Sequence, residues 1–320
     1  MGLLSFVIIG KNEEKNIARC LGAIKKSVDQ RGLPVSDYEI VYVDSDSTDN
    51  SLLLLSSTFP EVRVVSLKGK CNAALGRNAG GAKAIGEILI FLDADIELIG
   101  FNDLMDAFQH PGREGILTGE LTNVENGELV HRPSGPALHG ATFVIHKKTW
   151  NRLGGMKTKY TTGEDYDLGL RAIEAGYTLT RIKKVVALHY TIPYLDDKRL
   201  WKDVNNKKAF YFRSVLLRDH FTTPAFWKIL WNNEKTFLLL TACILLSIVF
   251  LNIWIFAGIY LAVIALRAYK NKHKQGFSML LLYYIAIDFL SIYYLFTLWP
   301  ADISRFDTVN ELKPASIGVK

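Results

Sequence analysis

The stretch Glu87-Ile88-Leu89-Ile90-Phe91-Leu92-Asp93-Ala94-Asp95 decides the fold of the N-terminal part of the chain. Its apolar residues run without polar alternation. That is the pattern of a strand covered on both faces, as in a parallel sheet with helices on each side. The two acids then fall just past the carboxyl end of the strand. Working back, Asn72–Ile85 is a small-residue helix and Val62–Ser66 a short strand. Ser51–Ser57 is helical, and Tyr38–Val43 is a strand that ends on Asp44-Ser45-Asp46-Ser47-Thr48-Asp49. Asn12–Lys26 carries Ile17, Ala18, Leu21 and Ile24 on one helical face. Leu3–Ile9 is a branched apolar strand closed by Gly10. This alternation predicts an α/β, Rossmann-like domain with a mostly parallel sheet and helices on both faces. Ligands of such sheets bind beyond the carboxyl ends of the strands. Asp44 and Asp93 both arrive there, so two acidic clusters distant in sequence are expected at one crevice.

Working forward, residues 111–140 are rich in Gly, Pro and polar groups and read as a long connection with a hairpin at Asn126-Gly127. Ala141–His146 is a strand, Gly163–Gly176 a loop entering a helix, and Leu179–His189 a last strand. Leu200–Trp231 mixes Trp201, Phe210, Tyr211, Phe212, Phe226 and Trp227 with many Lys and Arg, the composition of helices lying flat at a membrane surface. Thr236–Tyr269 and Phe277–Pro300 are almost wholly apolar and read as membrane segments.

Phe237–Leu266 is 30 residues long. One straight helix of that length would be ~45 Å, against a hydrocarbon core of roughly 30 Å. A break at Asn252 makes it a hairpin. The basic cluster Arg267, Lys270, Lys272, Lys274 then stays on the cytosolic side with the α/β domain, in keeping with the positive-inside rule, whereas a single long span would place it outside. Asp288 lies inside the second run and is expected to meet an Arg or Lys of the interfacial helices, or to line an acceptor path. The expected organisation is an α/β domain at 1–195, amphipathic interfacial helices at 196–235, two or three membrane helices at 236–302 and a polar tail at 303–320.

The 320 residues carry a net charge of +6, which suits an anionic lipid surface; the apolar runs favour that over nucleic acid. Cys20, Cys71 and Cys243 have neither a metal-binding spacing nor a disulfide pattern. Met1–Ser5 lacks the basic and apolar regions of a signal peptide.

A nucleoside-diphosphate sugar loses its diphosphate only if charge building on the β-phosphate is neutralised. A hard divalent cation on carboxylates does this. Asp93 and Asp95, past one strand end, have the right chemistry, although an isolated Asp-x-Asp is more often a solvated turn. The context decides. Val7-Ile8-Ile9-Gly10-Lys11-Asn12-Glu13-Glu14, Val43-Asp44-Ser45-Asp46-Ser47-Thr48-Asp49, Gly76-Arg77-Asn78-Ala79-Gly80, Phe91-Leu92-Asp93-Ala94-Asp95 and Gly163-Glu164-Asp165-Tyr166-Asp167-Leu168 stand in order. Together they resemble the family 2 glycosyltransferases of GT-A fold, over roughly residues 3–190.

The resemblance implies an inverting, metal-dependent transferase using Mg2+ or Mn2+ and a UDP-, GDP- or dTDP-sugar. It implies Glu13 and Asp44 at the nucleoside, Arg77 near the nucleotide or phosphates, Asp93 at the ribose and Asp95 on the metal. It implies Asp165, with Glu164, as the general base for an acceptor hydroxyl. His189 is a candidate further metal ligand and His139 an acceptor-pocket candidate. The Gln-x-x-Arg-Trp motif of processive synthases is missing, Arg213 being at best its remnant, so single addition is expected. Glu164-Asp165 favours a membrane-associated glycan or lipid-linked acceptor over the bare lipid phosphate of a polyprenyl-phosphate sugar synthase. A catalytically silent membrane scaffold is the alternative of another class, and the intact acids speak against it. A nucleotidyltransferase or a dinucleotide oxidoreductase would need a Gly-rich loop after Ile9, where Lys11-Asn12-Glu13-Glu14 stands.

Overall fold

The computed structural model describes residues 2–109, 114–131, 138, 140–193, 196–272, 276–303 and 308–312. The chain divides into two compact units, Met1–Thr191 with Ala301–Lys320, and Ile192–Pro300.

The first unit is a mixed sheet with helices. Its elements are β1 (Leu4–Gly10), α1 (Ile17–Gln30), β2 (Tyr38–Ser45), α2 (Ser51–Thr58), β3 (Arg63–Leu67), α3 (Ala73–Lys83) and β4 (Ile88–Asp93). They continue with β5 (Ile96–Leu98), α4 (Phe101–Phe108), β6 (Gly115–Glu125), β7 (Glu128–His131), β8 (Thr142–His146), α5 (Lys147–Leu153), α6 (Glu164–Glu174) and β9 (Thr178–Tyr190). A final strand, β10 (Thr308–Leu312), follows the second unit in sequence. The strand order is β10-β3-β2-β1-β4-β8-β6-β9-β5, with β7 paired to β6. β3, β2, β1 and β4 are parallel. β8 turns antiparallel against β4, and β6 antiparallel against β8.

The central strands are buried along almost their whole length, as their unbroken apolar runs require. α3 is made of small residues because it lies directly on the sheet. A side chain at Gly80 would come within 2.3 Å of Val7 Cγ1. The helix expected from Asn12 begins at Ile17, since Asn12 takes a left-handed conformation (φ 59°) and residues 12–16 form a loop. β5 and α4 went unread in the sequence. A three-residue strand carries too little periodicity to show. Asn126 and Gly127 both have positive φ and close the β6–β7 hairpin, the geometry of a type I′ turn.

The tail after the second unit returns to the first. β10 adds antiparallel to the outer edge of β3. Asp302 Oδ1 accepts from Lys159 N at 2.8 Å and Thr158 Oγ1 at 3.2 Å, and Ile303 N donates to Thr158 Oγ1 at 2.8 Å.

The second unit holds α7 (Asp197–Asn205), a π-helical turn at Phe212–Leu216 running into the short α8 (Leu217–Asp219), α9 (Pro224–Asn233), α10 (Lys235–Phe250), α11 (Ile253–Asn271) and α12 (Phe277–Thr297). α10 and α11 are separate helices. Leu251 takes positive φ, and Asn252 caps α11 by accepting from Ile255 N at 3.2 Å. α11 and α12 are each long and apolar enough to cross a membrane; α9 and α10 meet at 99° and count as one further broken span or re-entrant pair. The exposed tip between α10 and α11, from Leu245 to Ile255, is large and apolar. Patches of that kind are foreign to a water-facing surface.

The segment Leu200–Trp231, expected as interfacial helices, packs along α12. Phe210 meets Tyr294 at a tilt with ring centroids 4.6 Å apart, and Trp201 meets Tyr283 edge-on at 6.0 Å. Its reason is charge. Arg213 Nη1 donates to Asp288 Oδ1 at 2.6 Å, and Tyr260 Oη donates to Asp288 Oδ2 at 3.1 Å. Asp288 is fully buried, so its partner must come to it.

Candidate active site

The site is assembled at the carboxyl ends of β1, β2 and β4. β1 must end on glycine. A Cβ at Gly10 would stand 2.0 Å from Tyr42 Oη and 3.0 Å from Ala94 Cβ. This lets the Asp-Ala-Asp turn fold over the strand end, where Ala94 N donates to Ile9 O at 2.9 Å.

The loops after β1 and β2 are tied together. Asn12 Oδ1 accepts from Thr48 N at 2.8 Å, and Asn12 N donates to Ser47 Oγ at 2.9 Å. Glu13 N donates to Ser51 Oγ at 2.9 Å, and Asp49 Oδ2 accepts from Glu14 N at 3.2 Å. Asp44 is fully buried; its Oδ2 accepts from Ser47 N at 3.0 Å, and its Oδ1 has no partner among the described residues. A buried carboxylate oxygen without a partner is costly unless a ligand supplies the donor. Glu13 precedes α1 by four positions and is not a first-turn helix acid. Burial pushes its carboxyl above the usual range; the Asn16 amide opposes this, and the charges of Asp95 and Asp93 add to it. Acids from two strand ends therefore share one neighbourhood, as their positions in the sequence predict.

Arg77 is 2% exposed and lies within the protein. Its Nη2 donates to Asp93 Oδ1 at 2.6 Å and to Gly140 O at 2.8 Å, and its Nη1 donates to Glu164 Oε1 at 3.0 Å. The resemblance implies a contact with nucleotide or phosphate for Arg77. In the structure its guanidinium donates to two carboxylates and a carbonyl, while its Nε is buried without a partner among the described residues. Asp93 is pushed up to about 6 by burial, against the pull of Arg77 and with a push from Asp95.

Asp165 follows Glu164 in the first turn of α6 and accepts from Gly140 N at 3.0 Å. Burial first, and the neighbouring Glu164 second, push its carboxyl up to about 7; the Gly140 and Tyr166 amides and Arg77 oppose them. A carboxyl poised there suits proton transfer near neutral pH. Asp167 faces away from this role: it is fully buried and pairs with Arg171 at 2.7 Å and Lys157 at 3.3 Å.

β5 pairs antiparallel with β9, placing Ile96 opposite His189. Tyr190 N donates to Asp95 O at 3.0 Å, and His189 Nε2 lies 3.2 Å from Asp95 Oδ2. Asp95 Oδ1 is buried without a partner among the described residues. Among those residues no group of three or more His, Cys, Asp or Glu stands ready to hold a metal. One carboxylate oxygen and one imidazole fit a divalent cation that draws its other ligands from a diphosphate. His139 lies outside the described residues.

Sequence reasoning missed Asp302. It anchors Thr158 and Lys159 in the loop that feeds Glu164 and Asp165. Asn72 Nδ2 holds the same loop, at 2.7 Å from Thr158 O and 3.0 Å from Tyr160 O. The motif Gly76–Gly80 pointed to Arg77; nothing local pointed to an acid more than 140 residues away.

Glycosyl transferase family 2 matches residues 5–160, and Glycosyl transferase family group 2 matches residues 124–299. Glycosyltransferase AglE of Haloferax volcanii is 22% identical over 213 residues, 60% of this chain and 68% of its own length. A 4,4'-diaponeurosporenoate glycosyltransferase of Staphylococcus haemolyticus is 25% identical over 194 residues, 58% of this chain and 48% of its own. The chain thus spans about half the length of that second relative. Among solved structures, the mannosyltransferase PcManGT from Pyrobaculum calidifontis, in complex with GDP-Man and Mn2+, matches with a TM-score of 0.60 at 19% identity, covering 93% of this chain and 87% of that one. S. aureus TarS 1-349 in complex with UDP-GlcNAc matches with a TM-score of 0.50 at 18% identity, covering 66% of each chain. The family matches, with the GT-A-like sheet and the acids gathered at its strand ends, identify this chain as a member of glycosyltransferase family 2.

Proposed function

We propose that this chain moves a hexose, with inversion, from a UDP-, GDP- or dTDP-sugar to a membrane-associated glycan or lipid-linked acceptor, assisted by Mg2+ or Mn2+. One observation carries the reading. Arg77 joins two groups of acids with different chemistry: Asp93 beside the Asp95–His189 pair, and Glu164 beside Asp165, whose carboxyl is pushed up to about 7.

Asp44 and Glu13 receive the nucleoside, and Asp93, turned by Arg77, faces the ribose. Asp95 and His189 hold the divalent ion, which when bound neutralises charge on the departing diphosphate. Asp165, ionised, takes the proton of the acceptor hydroxyl. The acceptor oxygen forms its bond to the anomeric carbon as the bond from that carbon to the diphosphate oxygen breaks. The electron pair leaves with the nucleoside diphosphate, and the proton rests on Asp165. Single displacement inverts the anomeric centre.

We also read α11 and α12 as membrane spans and Lys235–Phe250 as part of a hairpin with α11, with the catalytic unit on the cytoplasmic side of an inner or plasma membrane. The basic end of α11 and the exposed apolar tip of the hairpin support this orientation. The sequence boundaries 1–195, 196–235, 236–302 and 303–320 remain the proposed functional divisions. The test is product analysis. Full-length protein with membrane lipid extract is incubated with a panel of UDP-, GDP- and dTDP-sugars, and the anomeric configuration of the new linkage is read by NMR. An inverted linkage supports the reading; retention, or no product with any donor, rejects it.

A further inference from the structure

A second polar site lies in the helical unit. A cavity of about 380 Å³ is lined by Asn232, Asn233, Lys235, Thr236, Arg267 and Lys270, with Val263 and Leu266 as apolar wall. It sits where the start of α10 meets the end of α11, at the open end of the helical hairpin. Three cations surround it. Among the described residues none of them pairs with a carboxylate, whereas Arg213 in the same unit has both Glu234 and Asp288.

Arg267 is held in place rather than loose. Its Nη1 donates to Thr236 Oγ1 at 2.7 Å, with Thr236 buried, and its guanidinium lies 4.2 Å from the Tyr284 ring centroid. Orienting an arginine this way without giving it a carboxylate leaves a pre-organised cation facing a cavity. The Asn232 and Asn233 side chains line the same rim and carry further donors, while Asn271 Nδ2 donates to Arg267 O at 3.0 Å. Below the rim the surface becomes apolar: Leu266, Val263 and Ile259 are exposed on α11 in that order toward the hairpin tip. Phosphate above and hydrocarbon below is the chemistry of a lipid.

We propose that this cavity binds the phosphate headgroup of an anionic bilayer phospholipid, with an acyl chain along the exposed face of α11. The inference rests on the membrane reading of α11 and α12 and not on the catalytic assignments. A bilayer phospholipid is favoured over a soluble phosphate because one wall is apolar and because the cavity lies where the apolar stretch of the hairpin ends. Each cation near a membrane surface contributes on the order of fivefold to anionic-lipid binding.

The test is native mass spectrometry of the full-length, delipidated protein in detergent, titrated separately with phosphatidylglycerol, phosphatidylcholine, a polyprenyl phosphate and inorganic phosphate. Phosphatidylglycerol should bind at least tenfold tighter than phosphatidylcholine. The triple variant Lys235→Gln/Arg267→Gln/Lys270→Gln should lose that preference. A control triple Lys202→Gln/Lys208→Gln/Lys228→Gln, with the same charge change on exposed residues outside the cavity, should keep it. Arg267→Lys, which retains the charge, should lose no more than a few fold and guards against misfolding of the triple. Equal binding of the two phospholipids, or equal loss in the control triple, would overturn the site. Displacement by inorganic phosphate or tighter binding of the polyprenyl phosphate would overturn the bilayer lipid as its occupant. Release of the protein from membranes without detergent would instead reject the membrane reading beneath it.

Discussion

Arg77 Nη1 stands 3.0 Å from Glu164 Oε1 across 87 positions of sequence, and the same guanidinium reaches Asp93 at 2.6 Å. One buried cation thus connects Asp93, at the end of β4, to Glu164 at the start of α6. Its removal should act on both. Arg77→Met leaves two carboxylates without their partner and should destabilise the fold by about 3 kcal/mol, the low end of the range because Asp93 keeps contact with water. Arg77 holds the Asp165 carboxyl down, so its loss should also move the acid limb of the pH–rate profile upward. If the variant does not fold, Glu164→Gln is the second reading: it removes the charge that pushes Asp165 up, and the limb should move down. A limb that moves in neither variant contradicts the coupling.

Asp165, the proposed base, should set the pH dependence. Its folded carboxyl holds a proton up to about pH 7, while the ordinary value is 3.8. The ionised fraction, and with it kcat/KM, should rise about tenfold per unit below pH 7 and level off above it. The stability effect has the opposite sign. The folded group binds the proton more tightly, so its contribution is fully present below pH 4 and is lost as pH rises through 7. Asp165→Asn should remove the limb and lower kcat by roughly 10²–10⁴-fold. Retention of the limb in that variant would assign the base elsewhere.

Much of this was legible in the sequence, and the gaps have physical causes. β1 to β4 showed because each is an unbroken apolar run, and Asp44 and Asp93 could be placed at strand ends from that alone. Asn252 was readable as the break between α10 and α11 because a short polar side chain mid-run serves as a helix cap. The pairing of Asp95 with His189 depends on β5 lying antiparallel to β9, a long-range register that no local pattern encodes. The burial of Arg77 was hidden for the same reason, since its partners come from β4 and α6. Asp288 was readable as an acid in need of a cation from the helices around Phe210, and Arg213 supplies it; which of their basic residues would do so had no local signal.

Asp302 offers a test of the tail. It accepts from Lys159 N and Thr158 Oγ1, in the loop leading to Glu164. Asp302→Ala should lower kcat several-fold with the donor KM unchanged, for a loss of about 1–2 kcal/mol in charge-assisted hydrogen bonds. Asp302→Asn keeps one acceptor and should recover part of it. An unchanged kcat in the alanine variant would mean that the latch does not position the base.

Asp288 is paired with Arg213 and Tyr260 in the helical unit. Asp288→Ala should destabilise by about 3 kcal/mol, with Glu234 left as a partner for Arg213. The double variant Arg213→Met/Asp288→Leu should recover most of the loss, because it removes both charges together. Thermal unfolding in detergent reads both. A double variant no better than the single one would show that the pair is worth more than its desolvation cost.

The measurement that bears most directly on the central claim is nucleoside diphosphate release from the donor panel, titrated with Mn2+ or Mg2+, by wild type, Asp95→Ala and His189→Ala. The account predicts metal-dependent release by wild type, loss of at least a hundredfold in Asp95→Ala, and a metal requirement raised roughly tenfold or more in His189→Ala. Release by Asp95→Ala at the wild-type rate, or release by wild type that is indifferent to added metal and to a chelator, would contradict it.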